Sequence, residues 1–442
     1  MSSRSLTPWA LVALVGLFLT GCNLPTQTEE PATGVPDITV VEPSPASSED
    51  PTSAPATIPA TSEAEGVPTA SVAQELRIAY TDDGNLWVVE KGQGPIQLTD
   101  TGGISDVRLS DDGEWIAYVV RDPDQDTADL HSVRFDGNIH LVLLEADGFD
   151  ALYPLDGFIH TTLSSMDFLP ESHTLLINTR GVFEGPGLAK NDDLLSINVE
   201  TGQFTPLLLR GDGGDFTASP AGDQIALTRP DSLSFVESNG ANLRPDVLSF
   251  SSVITYSEYF FYPLPVWSDN SVILPVPQQD PFFAEEAGTI WNVNGEAQIL
   301  AQPDGDLFGP QREFPIVSPD GSSVAYFKAT EEGGQQHLVI QRLDNGEQVI
   351  YDTGPIQWKG WGPDSNRMVY TKGTGFDLYL GELGAPPSPL APGTGLRWIN
   401  ANEYLYVAGD PGGWTLMLAD LGGGATPLAM LSGTFVTYDF AE

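Results

Sequence analysis

The sequence predicts an all-β fold, a ring of about eight four-stranded units, and three observations predict it. A tight turn followed by a short apolar strand recurs along most of the 442 residues. A second hairpin, which ends on a glycine, follows each of these turns. Successive glycines are separated by 38 to 65 residues, and four-stranded repeats need about 40 residues each. A ring of such repeats is a β-propeller. Eight glycines indicate eight blades, and seven blades are the alternative.

The recurring turn has residue types that suit its geometry. Proline presets φ at the second position, serine or aspartate accepts a local backbone hydrogen bond, and glycine tolerates positive φ. The β-branched and aromatic residues that follow suit a half-buried strand. Three copies are nearly complete (residues 110–118, 219–227 and 318–326), a fourth at 362–370 lacks the glycine, and weaker copies lie at 169–177, 267–274 and 398–406.

The second hairpin of each unit follows another apolar strand, as in residues 195–199 ahead of Glu-Thr-Gly. The spacing of its glycines is uneven, so we expect the short units to be bare blades and the long units to carry insertions. The glycines are Gly92, Gly137, Gly202, Gly240, Gly295, Gly346, Gly384 and Gly422.

The two ends of the repeat region predict how the ring closes. The first unit begins at its second strand, residues 77–80, and the chain ends in a strand without a partner, residues 434–440. We expect this C-terminal strand to supply the missing inner strand of the first blade. Such closure removes sheet edges that would otherwise pair with other chains.

Ser-Pro-Asp-Gly followed by an apolar strand, and then by a hairpin ending on Asp-Gly or Asn-Gly, resembles the TolB-type propeller repeat of bacterial envelope proteins. The resemblance covers residues 75–442, with four good copies and four degenerate ones. It implies the fold rather than one activity, because such propellers serve as protein-binding platforms, ligand-binding domains or gating domains of peptidases. Those peptidases carry a hydrolase domain after the propeller, and we expect none here, since residue 442 ends the last repeat.

The N-terminal region resembles a bacterial lipoprotein signal peptide. Arg4 precedes an apolar run over residues 9–19 that is too short to span a bilayer as a helix. Leu-Thr-Gly-Cys then ends at Cys22, the only cysteine in the chain, which cannot form an intramolecular disulfide. We expect residues 1–21 to be removed and Cys22 to carry a lipid that anchors the protein outside the cytoplasmic membrane. An ordinary signal peptide that contains a cysteine is the alternative.

Residues 22–74 are rich in Pro, Thr, Ser, Ala and Glu, with eight acidic residues and no Lys or Arg. Such a stretch cannot bury enough apolar surface to fold. We therefore expect a disordered tether between the lipid and a propeller over residues 75–442.

The charge balance limits the partners. The net charge is −43, of which about −36 falls on residues 75–442. This much negative charge repels nucleic acid and anionic lipid headgroups. Cations and basic protein surfaces remain as partners, and acidity that serves only solubility is the alternative.

Loop lengths indicate which face of the ring binds. In a propeller, the turns between first and second strands share one face with the turns between third and fourth strands, and here these turns are uniformly short. We name this the tight-turn face. The opposite face, here the long-loop face, receives the other hairpins and the connections between blades, and function usually lies in such variable loops. Its insertions are residues 122–129, 145–162, 181–193, 250–265, 277–288, 303–313 and 330–334.

Aromatic residues are dense in three of these insertions. Aromatic clusters anchor protein interfaces or stack on sugar rings, and the alternative is that they pack the insertions onto the ring. The candidates are Tyr256, Tyr259, Phe260, Phe261 and Tyr262, then Phe282 and Phe283, and finally Phe149, Tyr153 and Phe158.

Four aspartates in one hairpin form a candidate calcium site. Asp122, Asp124, Asp126 and Asp129 lie at nearly alternate positions, and carboxylates so placed wrap a hard cation. The segment resembles the calcium loops of integrin-type propellers, although Thr127 stands where that pattern has a glycine. A solvated acidic loop without a metal is the alternative.

Motifs for catalysis are absent from the sequence. It contains no Gly-x-Ser-x-Gly, no His-Glu-x-x-His and no phosphate-binding glycine loop, and its five histidines have no metal-ligand spacing. We therefore expect that the chain is not an enzyme. The favoured function is a monomeric, membrane-anchored platform that binds an envelope or extracellular protein through the long-loop face. A glycan or small-molecule receptor is the alternative, followed by a polysaccharide hydrolase.

Overall fold

The structure is a computed structural model that describes residues 75–442, except 186–188, 257–258, 282–286, 332, 374–375, 411–412 and 433–435. The side chains of residues 256, 259 and 410 are also outside the description. Within the described part, no helix is long and apolar enough to cross a membrane. The predicted signal peptide, Cys22 and the tether lie outside the described residues.

The described chain forms eight antiparallel blades in a ring, so the predicted fold is confirmed, with eight blades rather than seven. In blades two and four each strand pairs with the next one along the chain; the first blade takes its innermost strand from the C-terminus, and in blade three β9 pairs with β8, β10 and β11. Blade one contains β1 (Arg77–Asp82), β2 (Asn85–Glu90) and β3 (Ile96–Gln97); blade two contains β4 (Ile104–Leu109), β5 (Trp115–Asp122), β6 (Thr127–Arg134) and β7 (His140–Leu144); blade three contains β8 (His160–Phe168), β9 (Thr174–Val182), β10 (Ala189–Lys190), β11 (Leu194–Asn198) and β12 (Phe204–Leu208); blade four contains β13 (Asp215–Ala218), β14 (Gln224–Thr228), β15 (Ser232–Glu237) and β16 (Arg244–Ser249).

A short helix, α1 (Ala146–Asp150), lies between blades two and three, and a two-stranded ribbon lies between blades four and five. The ribbon is β17 (Ile254–Tyr256) with β18 (Tyr259–Phe260). The remaining blades are β19 (Val266–Ser268), β20 (Ser271–Val276), β21 (Thr289–Asn294) and β22 (Glu296–Ala301); β23 (Ser323–Ala329), β24 (Gln336–Arg342) and β25 (Gln348–Gly354); β26 (Ile356–Trp361), β27 (Arg367–Lys372), β28 (Asp377–Glu382) and β29 (Ser388–Pro392); β30 (Thr394–Trp398), β31 (Glu403–Asp410), β32 (Gly413–Asp420) and β33 (Ala425–Leu431); and β34 (Tyr438–Ala441), which belongs to blade one.

The inner edge of blade six is irregular. Instead of a continuous strand it has two isolated bridges, Asp306 to Phe327 and Val317 to Val324, on either side of a 3-10 turn at Pro310–Arg312. The segment contains four prolines between residues 303 and 319, and proline cannot donate the hydrogen bonds of a strand ladder. The prolines therefore explain why this inner strand is interrupted.

Left-handed backbone conformations confirm the turn analysis. The glycines of the three complete copies have φ between 65° and 70°, and Ser365 adopts φ 58° where the fourth copy has lost its glycine. Seven of the eight predicted hairpin glycines also have positive φ. The prediction for Gly422 is wrong, because Gly423 takes the left-handed position, φ 91°, and its N–H donates to Asp420.

The C-terminal strand closes the ring as predicted. β34 pairs with β1 in antiparallel register, from Arg77 opposite Ala441 to Tyr80 opposite Tyr438. Tyr438 is 4% exposed, and its hydroxyl donates to backbone carbonyl oxygens of blade eight. The Asp439 carboxylate accepts hydrogen bonds from Arg397 at 2.7 Å and from the Leu109 N–H at 2.9 Å. The last strand therefore joins blades eight, one and two.

Tyrosines buried in the second strands of blades six and seven each tie their blade to the preceding one. The same arrangement occurs twice, since a tyrosine and a lysine two residues later donate to one aspartate at the end of the preceding blade. Tyr370 donates to Asp352 at 2.7 Å and Lys372 donates to the same carboxylate at 2.8 Å; Tyr326 donates to Asp304 at 3.3 Å and Lys328 to Asp304 at 2.6 Å.

Candidate functional site

The long insertions lie where the sequence analysis expected them, in the hairpins between second and third strands and in the connections between blades. Residues 123–126 join β5 to β6, α1 lies in the connection from blade two to blade three, and β17 and β18 lie in the connection from blade four to blade five. These segments share the long-loop face. The predicted aromatic and acidic side chains belong to these insertions.

The aromatic residues of the α1 insertion pack against the ring. Phe149 is fully buried in the hydrophobic core that blades two and three share. The Tyr153 hydroxyl is buried near Asp193, and burial together with that charge raises the pKa of Tyr153. Phe158 is half-buried, with its ring 6.3 Å from that of Phe183. For Phe149 and Tyr153 the structure fits the packing alternative, and a binding role for these three residues stays a prediction.

The second aromatic insertion is more open. Phe260 is 57% exposed, whereas Phe261 makes an edge-to-face contact with Phe308 at 5.0 Å between ring centroids. The Tyr262 hydroxyl donates to Asp192 at 2.9 Å, and the Lys190 ammonium lies 4.2 Å from the centroid of the Tyr262 ring. Tyr256 and Tyr259 are in β17 and β18, but their side chains are outside the description, as are Phe282 and Phe283. Phe260 is thus the exposed aromatic residue among the described candidates.

A cavity of about 600 Å³ opens beside Phe260, and we name it the long-loop cavity. Its apolar side includes Phe183, Pro230 and Phe260, and the exposed carboxylate of Asp231 lies on its polar side. Among the described residues, no Lys or Arg lies within 4 Å of that carboxylate. The full lining is Phe183, Ala189, Lys190, Asp192, Arg229, Pro230, Asp231, Ser252, Phe260 and Tyr262.

The other charges of the cavity are already held by the protein. Lys190 pairs with Asp215, and the Arg229 guanidinium donates to the Gly213 carbonyl oxygen at 2.7 Å. Burial raises the pKa of Asp192, although the hydrogen bond from Tyr262 opposes this effect. The cavity is therefore suited to hold an apolar side chain against Phe260 and a cationic group against Asp231.

In the predicted calcium site, the carboxylates of Asp122, Asp126 and Asp129 each contact a different group of the protein. Asp122 accepts hydrogen bonds from the N–H groups of Asp124 and Gln125, at 2.9 and 3.3 Å. Asp126 pairs with Arg180 at 3.1 Å, and Asp129 accepts from the Ala146 N–H at 2.7 Å. The structure does not bring three of these carboxylates within 4.8 Å of one another. The hairpin is therefore not a preformed calcium site, and the calcium prediction stays a prediction.

Charged residues that the sequence analysis missed line the central channel. Arg397 and Asp439 lie beside a cavity of about 580 Å³ that also includes Lys359 and Phe314. Arg108 pairs with Asp106 at 2.8 Å on the inner strand of blade two. The signal in the sequence is the pair Asp106 and Arg108, which occupy alternate positions of β4.

Several solved structures are similar to the chain at low identity. No protein-family model matches the chain, and no curated protein matches it. Similar solved structures include an oligogalacturonate lyase in complex with manganese, with 15% identity over 69% of this chain and 81% of the lyase and a TM-score of 0.42. TolB from Acinetobacter baumannii is 18% identical over 62% of each chain, with a TM-score of 0.31. The acylaminoacyl peptidase of Pyrococcus horikoshii is 14% identical over 80% of this chain and half of the peptidase, with a TM-score of 0.40.

The prediction that the chain is not an enzyme is wrong as an inference from its fold. The prediction rests on absent motifs, whereas the similar solved structures include a lyase and a peptidase. The identities are low, and the likeness assigns neither activity to this chain. The chain is an eight-bladed β-propeller, and TolB is among the solved propellers that it resembles.

Proposed function

We propose that this propeller binds a protein or peptide partner through the long-loop cavity. The observation that carries the proposal is that Phe260 is 57% exposed and lies next to an apolar wall and the exposed carboxylate of Asp231. Exposed aromatic residues beside a cavity are typical anchors of protein interfaces. A segment that carries an apolar side chain and a Lys or Arg complements both features.

In this proposal the protein works outside the cytoplasmic membrane. The mature chain begins at Cys22, whose lipid anchors it, and residues 22–74 form the tether that carries the propeller. The net charge of −43 supports a basic envelope or extracellular protein as the partner. Labelling of growing cells with a tagged fatty acid tests the anchor. We expect label on the wild-type protein and none on Cys22→Ser, and label on both variants would contradict the proposal.

The binding proposal predicts that Phe260→Ala weakens partner capture by at least about 10-fold, because truncating an aromatic hot spot costs about 2 kcal/mol or more and about 1.4 kcal/mol is tenfold. The measurement is crosslinked affinity capture from envelope extract with the full-length protein, followed by titration of the recovered partner. The thermal unfolding midpoint should stay close to that of wild type, because Phe260 is mostly exposed.

Phe376→Ala is the matched control. Phe376 is 55% exposed, similar to Phe260, and it lies on the same face in the hairpin that follows β27. We expect this variant to retain capture, whereas the charge reversal Asp231→Lys should weaken it. Equal losses in the two phenylalanine variants would show that capture depends on general surface hydrophobicity, and unchanged capture in both would place the partner elsewhere.

A further inference from the structure

We propose that the tight-turn face carries a transition-metal site formed by Asp112, Glu114 and His173. These residues come from two blades, since Asp112 and Glu114 lie in the turn between β4 and β5 and His173 lies in the turn between β8 and β9. One potential ligand atom of each residue lies within 4.8 Å of those of the other two, and the described residues contain no other such group of three. This site is on the opposite face from the long-loop cavity and does not depend on the proposed function.

The protein holds Asp112 so that one carboxylate oxygen remains directed at the histidine. The Ser110 hydroxyl donates to Asp112 Oδ1 at 2.6 Å, and the Glu114 N–H donates to the same atom at 3.0 Å. Asp112 Oδ2 then lies 2.7 Å from His173 Nε2. Asp112 Oδ2 and His173 Nε2, two potential metal ligands, are therefore held next to each other.

A carboxylate outside this group orients the imidazole. Glu200, in the turn between β11 and β12, pairs with His173 Nδ1. Histidines that bind metals nearly always donate their second ring N–H to a carboxylate, a carbonyl or water, which fixes the ring and makes the coordinating nitrogen more basic. Glu200 supplies this partner, and Nε2, which is hydrogen-bonded to Asp112 Oδ2 in the structure, is the nitrogen that a metal ion would take over.

The surroundings give a cation access to the site. A cavity of about 470 Å³ adjoins the ligands and is lined by Asp111, Asp112, Glu171, Ser172 and His173. Asp112 and Glu114 are exposed, and His173 is half-buried. A divalent cation would reach the donor atoms from solvent and would reduce the repulsion among the carboxylates that surround one imidazole.

The donor set selects among metals. One imidazole nitrogen and two carboxylate oxygens suit zinc or another first-row divalent metal, whereas calcium takes six to eight oxygen ligands. Two ligands about 2.1 Å from a tetrahedral ion lie roughly 3.4 Å apart. The pair Nε2 to Oδ2, now 2.7 Å apart, would have to open by about 0.7 Å, which a small side-chain rotation provides. Solvent would complete the coordination.

Glu114→Gln gives the sharpest test, because the Glu114 side chain makes no hydrogen bond to the residues that the structure describes, whereas its backbone groups do. Isothermal titration of the full-length protein with Zn²⁺ should show binding to wild type that is weakened by at least about 10-fold in Glu114→Gln and in His173→Gln. In metal-free buffer Glu114→Gln should unfold at the wild-type midpoint, and added Zn²⁺ should raise that midpoint less than in wild type.

Glu171→Gln is the matched control, since Glu171 is an exposed acid that lines the same cavity but is not among the three ligands. It should keep wild-type affinity. Equal weakening in Glu171→Gln and Glu114→Gln would show diffuse attraction to an acidic surface, and no binding at about 1 mM Zn²⁺ would show no site. Binding that is lost in Asp124→Asn but retained in His173→Gln would assign the metal to the hairpin at residues 122–129. Each of these outcomes would overturn the proposal.

Discussion

Removal of residues 433–442 should destabilise the propeller by at least about 5 kcal/mol. The deletion removes the inner strand of blade one and exposes the core residues that pack against Tyr438. Tyr438, 4% exposed, and Ala441, also 4% exposed, would be lost together with the pairing of β34 and β1. Arg397 would lose Asp439, its partner at 2.7 Å. Domains are commonly stable by only 5–15 kcal/mol, so the loss is a large part of the total. Urea unfolding followed by tryptophan fluorescence measures it.

Two variants distinguish the loss of the packing of β34 from the effect of shortening the chain. Tyr438→Ala keeps every residue but removes the buried ring and the hydroxyl that donates to Leu405, so it should lose roughly 3–5 kcal/mol. Deletion of Glu442 alone, an exposed residue, should change stability by less than about 0.5 kcal/mol. A truncated chain with the unfolding midpoint of the full-length protein would refute the closure by β34.

Tyr370→Ala should cost roughly 3–5 kcal/mol, because it leaves a cavity in the core and removes a donor from a carboxylate that is largely buried. Tyr370 is fully buried, and its ring stacks on Tyr379 at 5.7 Å between centroids. Its hydroxyl donates to Asp352, whose side chain is only 12% exposed and also pairs with Lys372. Thermal and urea unfolding of the same variant check the expected loss.

Tyr370→Phe isolates the hydroxyl and adds a pH test. It should cost about 1–2 kcal/mol at neutral pH, because the ring stays and only the hydrogen bond goes. Burial alone would raise the pKa of Asp352, but hydrogen bonds from Lys372 and Tyr370 hold it below its ordinary value of 3.8. A carboxyl group whose pKa is lower in the folded state than in the unfolded state stabilises the fold at pH values above 3.8. This stabilisation is lost as the pH falls through the lowered pKa. The difference in the free energy of unfolding between wild type and Tyr370→Phe should therefore become smaller below pH 3.8. A difference that grows in acid would contradict this account.

The fold was predictable because its determinants are local and repeated. Each turn carries its own signal, and Ser365 shows that the backbone keeps the left-handed conformation, φ 58°, even where the glycine is lost. The spacing of the hairpin glycines then fixes the number of blades, and the unpaired strands at both ends indicate the closure. The interrupted inner strand of blade six was not predicted, although its four prolines are visible in the sequence and proline cannot donate to a strand ladder.

The candidate site was less predictable, because exposure depends on how an insertion packs on itself. Phe149 and Phe260 are both aromatic residues in polar insertions, yet Phe149 is fully buried and Phe260 is 57% exposed. Only the three-dimensional path of α1, which brings Phe149 into the core of blades two and three, separates them. The His173 group was missed for a similar reason, since His173 and Asp112 lie 61 residues apart in sequence.

The join between β1 and β34 also sets an order of events in time. Thr81 and Thr437 exchange hydrogen bonds across 356 residues of sequence, so a chain synthesised from its N-terminus has made seven blades' worth of strands before its first blade is whole. Until then β1 presents an open edge that can pair with another chain. Contacts this distant in sequence form slowly. Synthesis of β34 thus ends the period in which the growing protein is most exposed to misassembly.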